Sequence, residues 1–162
     1  MLARNDPPHH PSERTRTPPT REQVFLTSLR YHGYRLTHKR SGLKENRSYA
    51  IPATRREDAE GIDLWVKPRG VRELIPVQIT QRGTRLFAKY HRPAQAGNAE
   101  FSDRAAVRLR EKRSRCRRHE IAFVIVRDHD GVRPSRAIAW GDVKALHFGL
   151  RQLVLERKRG MR

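Results

Sequence analysis

At 162 residues the chain has room for one domain with a real core and too little for two. Its 36 Lys and Arg against 17 acidic residues give a formal charge of +19, which points to polyanionic partners, nucleic acid first and an anionic membrane surface second. One cysteine, Cys116, excludes an internal disulfide and a multi-cysteine zinc site. No apolar run approaches a membrane span, and no apolar signal core opens the chain, so a soluble cytoplasmic protein is expected.

In chain order, residues 1–19 are basic and proline-rich, the composition of a disordered arm. Thr20 then offers an N-cap with Gln23 in capping-box position. The helix it starts carries Val24, Phe25, Leu26 and Leu29 on one side and stops at Gly33. Residues 35–60 are polar and give little signal beyond a first strand within Arg47–Ala53, demoted to an edge or bulge by Pro52. Ile62–Thr80 reads as a hairpin, with apolar and polar residues alternating on both sides of Pro68-Arg69-Gly70. A basic loop, Gln81–Gly97, leads to a helix over Ala99–Arg118 with Phe101, Ala105, Leu109 and Cys116 inward. Ile121–Val126 is an uninterrupted apolar run, the pattern of a strand covered on both faces. Ser135–Trp140 is expected as a further strand and Asp142–Arg157 as a closing amphipathic helix, with a basic tail over 158–162. The whole predicts a single α/β domain over 20–157, a mixed central sheet flanked by helices on both faces. The helix after the hairpin acts as the right-handed crossover to a parallel strand.

The hairpin holds the chemistry. A register that sets Lys67 opposite Leu74 also sets Asp63 opposite Gln78. Opposed residues share a face, roughly 5 Å apart at Cβ, so a carboxylate and an amide meet where a cation could sit. The arginine skew, 29 Arg to 7 Lys, is also what a GC-rich genome produces. On the 99–118 helix, however, seven arginines stand with few acids, a repulsion that a phosphate backbone would relieve. Arg108, Arg113, Arg115 and Arg117 are the expected backbone contacts. The histidines show no zinc spacing, and neither a nucleophile elbow nor a Walker-type loop occurs.

The helix–strand–hairpin–helix–strand order, with Gly61-Ile62-Asp63-Leu64-Trp65-Val66 followed by Gln78-Ile79-Thr80, resembles the PD-(D/E)XK nuclease superfamily, the restriction-endonuclease-like fold. The resemblance implies a metal-dependent nuclease acting on DNA in preference to RNA. Asp63, Gln78 and Glu22 would be ligands of Mg2+ or Mn2+, and Thr80 or Arg82 would position water or phosphate. Gln78 in place of the family's second acid resembles the Mrr-type enzymes. Thr80 replaces the lysine and brings no charge. The alternative is a non-catalytic nucleic-acid-binding protein that kept the fold and lost the site, and a third reading, a ribosome-bound protein, rests on charge alone. A homodimer is compatible with either of the first two. Asp63, Gln78 and Thr80 also suit the polar face of a solvated hairpin, and Glu22 suits a helix N-terminus on macrodipole grounds alone.

Overall fold

A computed structural model describes residues 19–82, 99–127, 129 and 133–160, the side chains of 82 and 99–105 excepted. The proline-rich arm and most of the 81–97 loop lie outside the described residues. Helix α1 spans Arg21–Tyr31 and starts as its sequence dictates: Thr20 Oγ1 accepts from the Gln23 N–H and Gln23 Oε1 accepts from the Thr20 N–H, closing a capping box. At its other end the Tyr34 N–H donates to Leu29 O and the Gly33 N–H to Arg30 O, a Schellman ending around a glycine at φ +88°. A two-residue strand β1 (Arg35–Leu36), strand β2 (Tyr49–Pro52) and a short helix α2 (Arg55–Ala59) fill the region that carried little sequence signal. Helix α2 has its own capping box, Thr54 with Glu57, and ends in a second Schellman pair, Ile62 N–H to Glu57 O and Gly61 N–H to Asp58 O.

Strands β3 (Leu64–Lys67) and β4 (Ile75–Arg82), helix α3 (Ala99–Arg118), strand β5 (Ala122–Arg127) and helix α4 (Arg136–Gly160) follow. The sheet order is β1-β2-β3-β4-β5: β1 and β2 are parallel, β2–β3 and β3–β4 antiparallel, β4 and β5 parallel across the α3 crossover. The mixed sheet expected from the pattern is therefore present, and it has five strands, of which β1 was not expected. Pro52 ends β2 opposite Leu64, beyond the two residues that pair with β1, so its missing N–H disturbs no ladder bond and β2 sits inside the sheet.

Leu64, Val66, Val77, Ile79, Val124 and Val126 form one face of the sheet, covered by Phe25 and Leu29 of α1 and by Val143, Leu146 and Leu153 of α4. Each fully buried aliphatic side chain of this kind contributes about 1.5–3 kcal/mol. Helix α4 lies so close that a methyl group on Gly149 would come within 2.7 Å of Phe123 O. The two helices are also tied by polar groups: Ser28 Oγ donates to Asp142 Oδ2 at 2.8 Å, and His129 Nε2 lies 3.0 Å from Asp142 Oδ1. The aspartate stands between the other two residues and Ser28 is fully buried, so this trio is a clamp and not a nucleophile system. On the opposite face Cys116 of α3 packs with Ile62, Ile121, Trp65 and Phe123.

Two expectations are corrected. Residues 136–140 belong to the first turns of α4, not to a strand: Ala139 falls in helical spacing with Val143 and Leu146 on the buried face, while Ala137 and Trp140 stay exposed. Strand β5 is not sealed on both faces. It forms the sheet edge, with Ala122, Val124 and Val126 buried and Phe123 and Ile125 only half-buried.

Candidate functional site

The site begins at the end of α2. Gly61, at φ +89°, turns the chain so that Ile62 enters the smaller apolar cluster and Asp63 enters the sheet. The β3–β4 pairing runs Leu64 to Val77, Trp65 to Pro76 and Val66 to Ile75. Continued by one residue, this is the register that sets Asp63 opposite Gln78. Asp63 Oδ2 accepts from Gln78 Nε2 at 2.6 Å and from the Ile79 N–H at 2.5 Å. Asp63, Gln78 and Thr80 are buried, at 8, 3 and 2% exposure, so the reading of them as solvated hairpin residues fails. The amide turns its NH2 to the carboxylate; its oxygen faces Gly61 and the Arg115 guanidinium instead.

Three cations and one further acid frame this pocket. Arg21 Nη2 stands 4.0 Å from Asp63 Oδ1 and its Nε 2.7 Å from Glu22 Oε1. Lys112 on α3 is near enough for its charge to act on both Asp63 and Cys116. Arg115 closes over Gly61. Burial pushes the Asp63 carboxyl up, and the Ile79 N–H, Arg21 and Lys112 only partly oppose it. Burial would also raise Glu22, but the Arg21 hydrogen bond and its own backbone outweigh that and hold it below the usual carboxylate range. The Cys116 thiol is pushed up by burial and stays protonated, so it is no nucleophile. Thr80 Oγ1 is buried on the same face as Gln78 and has no hydrogen-bond partner among the described residues.

Of the residues expected from sequence, Asp63 and Gln78 meet in a hydrogen bond, Thr80 lies on the same face two residues along β4, and Glu22 is linked to Asp63 through Arg21. The Arg82 side chain lies outside the described residues. Of the four arginines, Arg115 reaches the site, Arg113 and Arg117 line a groove on another side of α3, and exposed Arg108 reaches neither. The sequence reading missed Arg21 and Lys112. Lys112 was legible: with Leu109 and Cys116 inward, position 112 shares their helical face.

The groups here that could donate oxygen to a metal are Asp63 Oδ1, the Thr80 hydroxyl and, alongside, Glu22. No cluster of three or more His, Cys, Asp or Glu placed to hold a metal exists among the described residues. Such a set would suit only an ion that keeps most of its water and uses one or two carboxylates, the mode of Mg2+. Compared with protein-family models, with curated proteins and with solved structures, the chain matches none.

Proposed function

We propose that the protein is a nucleic-acid phosphodiesterase, a DNA endonuclease in preference to an RNase, built on a restriction-endonuclease-like core. The observation that carries this reading is the buried Asp63–Gln78 pair at the open end of the hairpin, ringed by Arg21, Lys112 and Arg115. A buried carboxylate amid cations that exceed it in number suits a site that meets a phosphodiester. Asp63 would hold Mg2+, with Glu22 alongside, and the ion would supply Lewis-acid polarisation of a phosphoryl oxygen and an acidified water. Arg115 and Lys112 neutralise charge that develops on phosphorus, the work the missing lysine would otherwise do. Thr80 Oγ1, without a hydrogen-bond partner among the described residues, is the group that would hold the attacking water. Gln78 fixes the Asp63 rotamer through its amide.

A second reading, a non-catalytic nucleic-acid-binding protein, is favoured by one feature. Asp63 Oδ2 is already satisfied by the amide and a backbone N–H, as in a structural carboxylate. Cleavage of plasmid and of single-stranded circles in Mg2+ and in Mn2+ separates the two. Hydrolysis abolished in Asp63→Ala, with binding intact, supports the enzyme; binding with no cleavage by the wild type in either metal leaves the second reading.

A further inference from the structure

A groove of about 1500 Å³ runs along the outer edge of β5 between α3 and α4. Its volume exceeds the roughly 300–1,000 Å³ of small-molecule pockets, which suits a polymer. The floor is Phe123 and Ile125, the half-buried outer residues of the edge strand. One wall is the arginine face of α3, Arg110, Arg113 and Arg117; the other is α4, with Trp140, Lys144 and Phe148. Trp140 and Phe148 are 51 and 56% exposed, unusual for rings of that size. Lys144 Nζ stands 5.1 Å from the centre of the Trp140 ring, so a cation already sits against the aromatic surface. Among the described residues, Arg110, Arg117 and Lys144 pair with no carboxylate.

We infer that this groove is the track for a single-stranded stretch of nucleic acid, its bases stacked on Trp140, Phe148 and Phe123 and its phosphates on Arg110, Arg117 and Lys144. A cationic groove with aromatic rings at intervals is the arrangement that binds unpaired nucleotides without sequence preference. A paired duplex keeps its base faces stacked inside and would leave these rings against sugar and phosphate. A second copy of this chain would bring two arginine walls together. Charge thus selects a polyanion and the exposed rings select unpaired bases. The track also leads somewhere: Phe123 is the β5 neighbour of Gln78 and Ile125 that of Thr80, so the floor lies one strand, about 4.8 Å, from the candidate site. The inference deepens the proposed function by naming strandedness, and so it rests on the nucleic-acid part of that reading. It does not need hydrolysis.

The test is fluorescence anisotropy of the whole 162-residue chain with a labelled oligo-dT and with a duplex of equal length, in EDTA. The wild type is expected to bind the single strand more tightly. Trp140→Ala and Phe148→Ala should each lower that affinity by about tenfold, within the range measured for removing one stacking ring, and leave duplex affinity nearly unchanged. Both side chains are exposed, and thermal melting confirms that the variants fold. In a Trp65→Phe background Trp140 is the only indole, and oligo-dT should quench its emission. Equal losses for both ligands, or no loss and no quenching, overturn the track while leaving nucleic-acid binding in place. Binding to neither ligand at low salt overturns both. A dimer in sedimentation that Trp140→Ala dissociates would assign the groove to a second copy and also overturn the track. Absence of cleavage in Mg2+ would strike only the hydrolase reading and leave the binding pattern untouched.

Discussion

Replacing Gly61 by alanine tests whether the turn after α2 positions the site or merely joins two elements. Two physical effects separate cleanly here. At φ +89° an alanine strains the backbone, by about 1–2 kcal/mol for a left-handed L-residue. In addition, the new methyl would overlap Arg115 Nη2 and lie 3.0 Å from Gln78 Oε1. The guanidinium is the tip of a flexible chain and can swing away. The amide is held inside and must give, loosening its 2.6 Å bond to Asp63. Hydrogen bonds to charged groups net about 1.5–3 kcal/mol, and a partial loss contributes about 1. Gly61→Ala should therefore destabilise by about 2–3 kcal/mol, a large share of the roughly 5–15 kcal/mol of a typical domain. Gly70 is the control: its φ is +78° and nothing lies within 4 Å of its added methyl, so Gly70→Ala should show the backbone strain alone, about 1–2 kcal/mol. Urea unfolding with unchanged m measures both. If the two variants agree to within about 0.5 kcal/mol, the usual scatter of substitutions without a specific mechanism, no crowding reaches Gln78 and the reasoning fails. The same variant should lose any Mg2+-dependent cleavage, while Gly70→Ala keeps it.

Asp63→Asn keeps an oxygen for Gln78 and Ile79 and removes a charge whose burial raises its pKa. A folded pKa above the unfolded one means that ionised Asp63 opposes folding at neutral pH and that the penalty fades as pH falls, so the variant should melt higher at pH 7 and lose that gain in acid. Lys67 is buried, with Nζ donating to the carbonyls of Lys44, Glu45 and Arg47 at 2.9, 3.2 and 3.1 Å. Lys67→Met should cost about 2–4 kcal/mol by orphaning those oxygens, and a change under about 0.5 kcal/mol in urea unfolding would show that water replaces the ammonium. Glu57 is gripped by Arg40 at 2.5 and 2.7 Å, a hydrogen-bonded pairing that lowers its pKa from 4.5 to about 2. Its stabilisation is present above the unfolded value and disappears as pH falls from 4.5 toward 2. Because the pair sits at the surface, it should amount to about 1 kcal/mol at most, read as the difference between wild type and Glu57→Gln across an acid titration of thermal stability. Arg110→Ala and Arg117→Ala should each reduce the slope of log K against log salt by about 1 for nucleic acid; a slope unchanged in both would remove α3 from the phosphate contacts.

The sequence by itself determined the elements whose cause is local. Thr20 with Gln23 and Gly33 bounded α1, alternation placed Asp63 and Gln78 on one face, and the apolar spacing of Leu109 and Cys116 oriented α3. Each depends on neighbours within a turn or a pleat, so residue order is enough. Tertiary structure decided what depends on which surfaces meet. Residues 136–140 look like a strand alone and become helix, with Ala139 joining Val143 and Leu146 on the face of α4 that packs on the sheet. Lys67 falls on the polar side of the hairpin alternation, and it is buried because distant carbonyls at 44–47 converge on it. The Asp63 carboxyl is raised by burial, and its cations arrive from α1 and α3, which no linear spacing brings together. The β5 run promised a sealed strand; its place at the sheet edge instead left Phe123 and Ile125 facing an open groove, because apolar composition records how much surface is greasy but not whether a neighbour covers it.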